Sequence, residues 1–447
     1  MFTACNDWLN VEPKSEVRTN KMFEEELGFK NALSGIYIKL ATNNLYSDNL
    51  TMGNIEHLAN LWETSPNSIQ KYFNNHDYNN YEIKSIVQQI YGDMYNVIAN
   101  INSILEHIDA KKDIFSKGIY KLIKGEVLAL RAYCHFDILR LFGQVPLGAT
   151  TVITLPYAKK VTKHPHTWYS YNDFVQFIIK DLSEAEKLLK EVDPIVNFKN
   201  KYTNLFYNKR KSKMNYYAVL ATKARVYLWT QDKKNAYKYS KQLIEAKKKD
   251  NDNVFILGDA GALNNNDYLF SKEHIISLDV SHDFKNISDR FSKGFSFLHK
   301  EKFIKEKIFN TKKEKFDIRL KFWTVKDRSE KTCWFKKYSK LNEKSAYIPL
   351  IRLYEMYLIA IESAPSLSES NRLLKIINDK RKVNYIPFKK EAKVQERIIK
   401  EYRKEFYAEG LMFYTYKRLF LKKILGKTKE MKEENYVIPI PVNNQTF

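Results

Sequence analysis

The 447-residue chain, 44% hydrophobic and 14% aromatic, has enough apolar surface to bury a large core, which excludes disorder as its ground state. Only 13 Gly and 11 Pro occur, too few for a many-turned β sandwich or barrel, so the chain is expected to be mostly α, with long helices and short connections. A formal net charge of +23 admits nucleic acid, anionic lipid or an acidic glycan as partner, but the basic runs Lys209-Arg210-Lys211, Lys247-Lys248-Lys249, Lys312-Lys313 and Lys422-Lys423 are scattered among acidic residues, as on solvated faces of a lysine-rich protein.

The chain opens on Thr3-Ala4-Cys5, the small residues that precede a bacterial lipoprotein cysteine, with Phe2 where Leu is usual. Met1 to Ala4 are too few for a signal peptide, so the start is expected to be truncated or rebuilt. The three cysteines, Cys5, Cys134 and Cys333, form neither a disulfide framework nor a zinc spacing, and no apolar run reaches the roughly 18 residues of a membrane span.

After a polar leader, Met22 to Leu40 reads as a first helix ended at Asn43-Asn44, and Asn60 to Tyr81, rich in Asn and aromatics, as surface loop. Apolar residues at steps of three and four from Ile83 to Ile108 predict a long amphipathic helix. Ile119 to Leu141 is apolar on several faces, which predicts a helix buried among neighbours; Gly143 suits a C′ position and Pro146 bars continuation. Thr150 to His166 is irregular, and a further helix runs to Leu189 from a cap at Asn172 or Asp173. Tyr216 to Trp229, a turn at Gln231-Asp232, and Lys233 to Lys248 make a helical hairpin of tetratricopeptide-like size.

From Asp250 to Tyr347 the period fades into loops (Asn264-Asn265-Asn266) and short strand-like runs at His274 to Val280 and Phe291 to Phe297. Helix returns at Leu350 to Ser363, Asn371 to Lys382 and Val394 to Leu421, and two prolines make Tyr436 to Pro441 extended. No nucleotide-binding, serine-hydrolase, zinc-protease or calcium-loop motif is present. His164 and His166 lack a third ligand nearby and read as a solvated loop. Glu401, Glu405 and Glu409, with Arg403 and Lys404 interleaved, read as an ion-paired helix face, since glycosidase acids would need an opposing carboxylate across a cleft.

Five blocks together resemble the RagB/SusD family of surface lipoproteins. They are Cys5 to Pro13; Leu130 to Leu147 with its Gly-Gln-Val-Pro corner; Ala224-Arg225-Val226-Tyr227-Leu228; Ile348 to Ala360; and Glu401 to Gly410 with Lys417-Arg418 and Ile438-Pro439-Ile440-Pro441. Gln231-Asp232 departs from the Gly-Asp turn usual in the family. The resemblance implies a leader over 1–20 bearing a lipidated Cys5, then one SusD-like domain over 21–447: tetratricopeptide-like helix pairs as scaffold, irregular loops presenting the ligand site, and a few short strands.

It further implies a non-catalytic binding protein without cofactor or metal, anchored to the outer membrane at the cell surface by its lipid alone. Such a protein delivers glycans, in some members peptides, to a SusC-like TonB-dependent transporter. Glycan capture uses aromatic faces and amides, which nominates Trp62, Tyr72, Phe73, Asn74 and Asn75 in one loop and Trp323, Trp334 and Tyr338 in another, although the same rings also suit a core. The positive charge makes a sulfated or uronic glycan a candidate ligand. A helical glycoside hydrolase and a basic helical scaffold for nucleic acid are the rival readings, and the lipoprotein-like Cys5 counts against nucleic acid as a partner.

Overall fold

The computed structural model describes residues 21–148, 152–197, 205–292, 298–310, 312, 314, 316–327 and 332–441. Cys5 and the leader lie outside them.

The apolar stripe predicted from Ile83 forms helix Tyr81–Ile108, capped by the Asn80 side chain, with Ile83, Ile90, Met94, Val97, Ile101 and Ile108 turned inward. Each long helix packs on the next in sequence. Glu26–Leu40 lies on Tyr81–Ile108, which lies on Ile119–Phe142, and the series continues through Tyr171–Val192, Tyr216–Trp229, Lys233–Ile244, Leu353–Ser363 and Leu367–Arg381. Those eight helices form four stacked pairs, the tetratricopeptide-like scaffold that the hairpin at 216–244 foreshadows.

Helix Ile119–Phe142 runs through the middle of the stack and buries residues on every face. Its polar residues are satisfied internally. Arg131 grips Asp181 with two bonds of 2.6 and 2.7 Å, and Asp137 accepts from the Tyr46 hydroxyl at 2.6 Å. His135 stacks on Tyr157 at 3.8 Å; its Nδ1 donates to the Arg131 carbonyl and its Nε2 accepts the Ala158 N–H, which fixes a neutral ring whose pKa burial pushes down to about 3.

The helix end differs from expectation. Gly143 is extended (φ −75°, ψ 166°) rather than left-handed. Glycine is required there by space: a Cβ would stand 2.7 Å from the Leu139 carbonyl oxygen. The free carbonyls of Leu141 and Gly143 are instead capped by the buried ammonium of Lys417, at 3.1 and 2.6 Å, while the Ile438 N–H also reaches Leu141.

Ser170, not Asn172 or Asp173, caps helix Tyr171–Val192, accepting the Asp173 N–H while its hydroxyl donates to the Asp173 carboxylate. Lys233–Ile244 ends four residues before the expected Lys248. In the tight turn ahead of it Gln231 is left-handed, φ 63°, a conformation suited to glycine. Gln231→Gly is therefore expected to stabilise the protein by about 0.5–1 kcal/mol, read as a raised urea midpoint. A lowered midpoint would show that chain entropy outweighs the relieved strain.

The irregular third holds small antiparallel sheets. Strand His274–Asp279 pairs with Tyr347–Arg352, and Thr332–Phe335 lies between Leu298–Lys300 and Thr324–Asp327. The block from Ile348, expected as helix, is thus strand up to Arg352 and helix from Leu353. The helix expected from Val394 to Leu421 is two, Ala392–Glu405 and Leu411–Arg418, broken where Ala408 (φ 58°) and Gly410 (φ 72°) turn left-handed. Asn60 to Tyr81 is not all loop, because Ile69–Asn75 is helical and capped by Ser68.

Candidate ligand-binding site

Glu401 and Glu405 sit in the last turns of helix Ala392–Glu405, and Glu409 lies just past its end. All three are buried, together with Glu273, Glu314 and Asp317. Against these six carboxylates stand Arg319, Lys337, Arg352, Arg381, Arg397 and Lys404, so the cluster is neutral. Arg352 is its hub, donating to Glu273 at 2.8 Å, to Glu405 at 2.9 Å and to both oxygens of Glu409 at 2.9 and 2.7 Å.

The expected ion pairing is present, but it is interior and made with distant arginines. Of the two interleaved cations, Lys404 bonds Glu401 and Glu314, while Arg403 reaches the Tyr416 hydroxyl. Burial pushes these carboxyls up, and the cations overcome it: Lys404 and Arg319 hold Glu401 well below the usual range, Arg381 and Arg352 do so for Glu405, and Arg352 and Lys337 lower Glu409. A glycosidase acid needs the opposite, a raised pKa and a proton to give. These carboxylates hold the fold.

Above the cluster opens a groove of about 610 Å³. Its lining comes from three segments, 209–212, 265–277 and 337–347, irregular except where they enter the strand pair at His274, Ser277 and Tyr347. The triplet Lys209-Arg210-Lys211 shows how the groove is built. Arg210 is drawn inside, donating to both oxygens of Asp193 at 2.9 and 3.0 Å and to Glu126, while its neighbours Lys209 and Lys211 stay at the groove.

Asn215 fastens this segment to the strand beneath, donating to the carbonyls of Arg210 at 3.0 Å and Ile275 at 2.8 Å, and Ser277 Oγ donates to the Lys211 carbonyl at 3.3 Å. Asp279 and Tyr347 are register partners in the strand pair His274–Asp279 and Tyr347–Arg352, and the Tyr347 ring lies 5.8 Å from Lys209 Nζ. Asn265, Asn266, Asn342, Tyr268 and Tyr347 complete a wall of amides and phenols. Lys209 (φ 52°), Asn266 (φ 62°) and Phe270 (φ 55°) are left-handed around it.

None of the ligand residues nominated from the sequence lines this groove. Trp62, Phe73, Asn74, Trp323 and Tyr338 are buried. Each polar-tipped ring has an interior partner: the Trp62 indole donates to Glu56 at 3.1 Å, the Trp323 indole to the Tyr268 carbonyl at 2.9 Å, and the Tyr338 hydroxyl to the Ala408 carbonyl at 3.0 Å. The expectation that these are exposed binding faces is therefore corrected: they are core. Asn74 donates to the Trp62 carbonyl at 3.3 Å. Tyr72 and Trp334 are half-buried and Asn75 is exposed. The groove residues had only weak signals, a basic triplet and an Asn run, far apart in sequence.

Two smaller cavities exist. One of about 460 Å³ includes the Arg418–Glu362 pair, whose charges cancel at 2.8 Å. The other, about 290 Å³, gathers His164, His166 and Trp168 beside Tyr95. Among the described residues no group of three potential ligands could hold a metal ion.

The model of a SusD-like family, described as starch-binding and associating with the outer membrane, matches residues 7–228, about half of the chain. A SusD-like protein of Formosa agariphila is 25% identical over 149 residues, a match spanning 32% of this chain and 28% of that protein. Among solved structures, a SusD superfamily protein of Bacteroides thetaiotaomicron aligns with TM-score 0.72 at 19% identity, over 94% of this chain and 98% of that one. A putative sugar-binding protein of Bacteroides vulgatus aligns with TM-score 0.71 at 19% identity, over 94% and 96%. At those identities the likeness is one of fold.

Proposed function

The chain belongs to the RagB/SusD family, and from that premise we propose that it captures carbohydrate at the outer-membrane surface without altering it and passes it to a SusC-like TonB-dependent transporter. The observation that carries this reading is the 610 Å³ groove, framed by amides, hydroxyls and tyrosines and adjoining the buried ion-pair cluster through Lys337. Its volume lies within the range of about 300–1,000 Å³ typical of small-ligand sites. Asn265, Asn266 and Asn342 bring amide groups, which match sugar hydroxyls, and the half-buried Tyr347 offers an apolar face for ring carbons.

Among the described residues no helix is long and apolar enough to cross a membrane. Anchorage is assigned to acyl chains on Cys5; two or three such chains hold a protein stably, where one holds it only marginally. Calorimetry against an oligosaccharide panel, with pull-down of a SusC-like transporter from the same organism, tests the proposal. Binding of at least one glycan is expected, weakened roughly tenfold by Tyr347→Ala. Binding to neither glycan nor transporter would sink it.

A further inference from the structure

Lysine enters this groove at four places, Lys209, Lys211, Lys337 and Lys340, against a single lining carboxylate, Asp267. That carboxylate is occupied: both of its oxygens accept the Ser271 N–H at 2.9 Å and one accepts the Ser271 hydroxyl at 2.8 Å. Lys337 is occupied too, by Glu409 and by the carbonyl of Glu405 at 2.8 Å. Lys209, Lys211 and Lys340 make no ion pair within 4.0 Å among the described residues.

Elsewhere enclosed cations of this protein meet a carboxylate, as in Lys223 with Glu186 and Arg225 with Glu355, or backbone carbonyls, as in Lys417. Lys211 stands among like charges. It is half-buried, its ammonium lies 5.2 Å from the Phe255 ring centroid, and burial together with Lys248 and Lys272 pushes its pKa down to about 8. A half-buried cation on the lining of a cavity, crowded by like charges, is stabilised by an anion that comes within its reach.

We infer that the groove takes a negatively charged sugar, one carrying uronate carboxylates or sulfate esters, with Lys211 as the buried contact and Lys209 and Lys340 at the rim. This rests on the reading of the groove as a glycan site. Carboxylate and sulfate oxygens accept several N–H bonds at once, and the surrounding Asn amides serve the hydroxyls between charged groups. The chain's net charge of +23 would draw such a polyanion from a distance.

Calorimetry of the full chain with three hexasaccharides tests this: a neutral maltohexaose, a hexagalacturonate and a sulfated galactose hexamer, each at low and high ionic strength. One or both acidic sugars are expected to bind at least roughly tenfold more tightly than the neutral one, with affinity falling as salt rises. The uronate and sulfate arms tell which anion is read. Lys211→Met, which keeps the aliphatic stem, and Lys340→Ala, at an exposed position, are each expected to lower acidic-sugar affinity without lowering the urea midpoint. Binding of the neutral sugar alone, or acidic-sugar affinity unmoved by both variants, overturns the anionic reading while keeping the glycan site. Binding of none of the three, or preference for a DNA oligonucleotide over all of them, overturns both.

Discussion

Arg352→Met is expected to cost about 3–5 kcal/mol, a large share of the roughly 5–15 kcal/mol by which native proteins are stable. The side chain is fully buried and bonds three carboxylates, Glu273, Glu405 and Glu409. Removing it leaves the six carboxylates of the cluster against five cations, a net negative charge in the interior. Arg352→Lys is expected to fare little better, since a single ammonium cannot reproduce the planar fork that meets Glu409 with two nitrogens. Lys375→Ala, which breaks an exposed pair with Asp379, supplies the contrast and should shift stability by under about 0.5 kcal/mol. Urea unfolding checks all three. A loss below about 1 kcal/mol in Arg352→Met would show that the carboxylates take up protons or reorganise instead of standing unpaired.

The same cluster explains which parts of the molecule can be read from sequence. A helix such as Tyr81–Ile108 announces itself because its burial is periodic and local. Strand Tyr347–Arg352 does not, because its apolar run passes without a break into helix Leu353–Ser363, and only its partner at His274–Asp279 makes it a strand. The five-block resemblance carries the family for the same reason that it misses the ligand. Its residues, among them Arg131, Arg225, Arg352 and Glu405, are interior pairs that fix the scaffold.

Conversely, Trp62 and Trp323 look like binding aromatics in Asn-rich, aperiodic segments, yet their indole N–H groups find acceptors inside, which only tertiary packing reveals. In Lys209-Arg210-Lys211 three equal charges in sequence become unequal in space. One meets Glu126 and Asp193 in the core, and two are left at the groove. Nothing in composition distinguishes the middle residue from its neighbours.

Acid should unfold this protein steeply, and the sign follows from the cluster. Glu401, Glu405 and Glu409 have folded pKa values held below that of an unfolded glutamate, about 4.3. Their contribution is complete above that value and is lost as pH falls through the folded values, because there the unfolded chain binds protons that the folded one refuses. Several carboxylates acting together make the fall steeper than one proton allows. Glu56 acts with the opposite sign. Burial pushes its carboxyl up to about 7, against the pull of the Ala408 and Gly410 N–H groups at 2.8 and 2.7 Å and the Trp62 indole. Its contribution is therefore present below about 4.5 and lost as pH rises through 7. Stability measured by urea unfolding from about pH 3 to about pH 8 is expected to climb sharply through pH 4.5 and to go on rising to about pH 6.5, because His57, His76, His135 and His274, held by burial at about 4, 3, 3 and 4, refuse protons that the unfolded chain binds; Glu56→Gln is expected to gain on the parent by at most about 3 kcal/mol between about pH 4.5 and about pH 7. A profile that stays flat below pH 4.5 would mean that the interior carboxylates are not held ionised by their arginines; a Glu56→Gln profile parallel to the parent's between about pH 4.5 and about pH 7 would show that Glu56 does not hold its proton in the folded state.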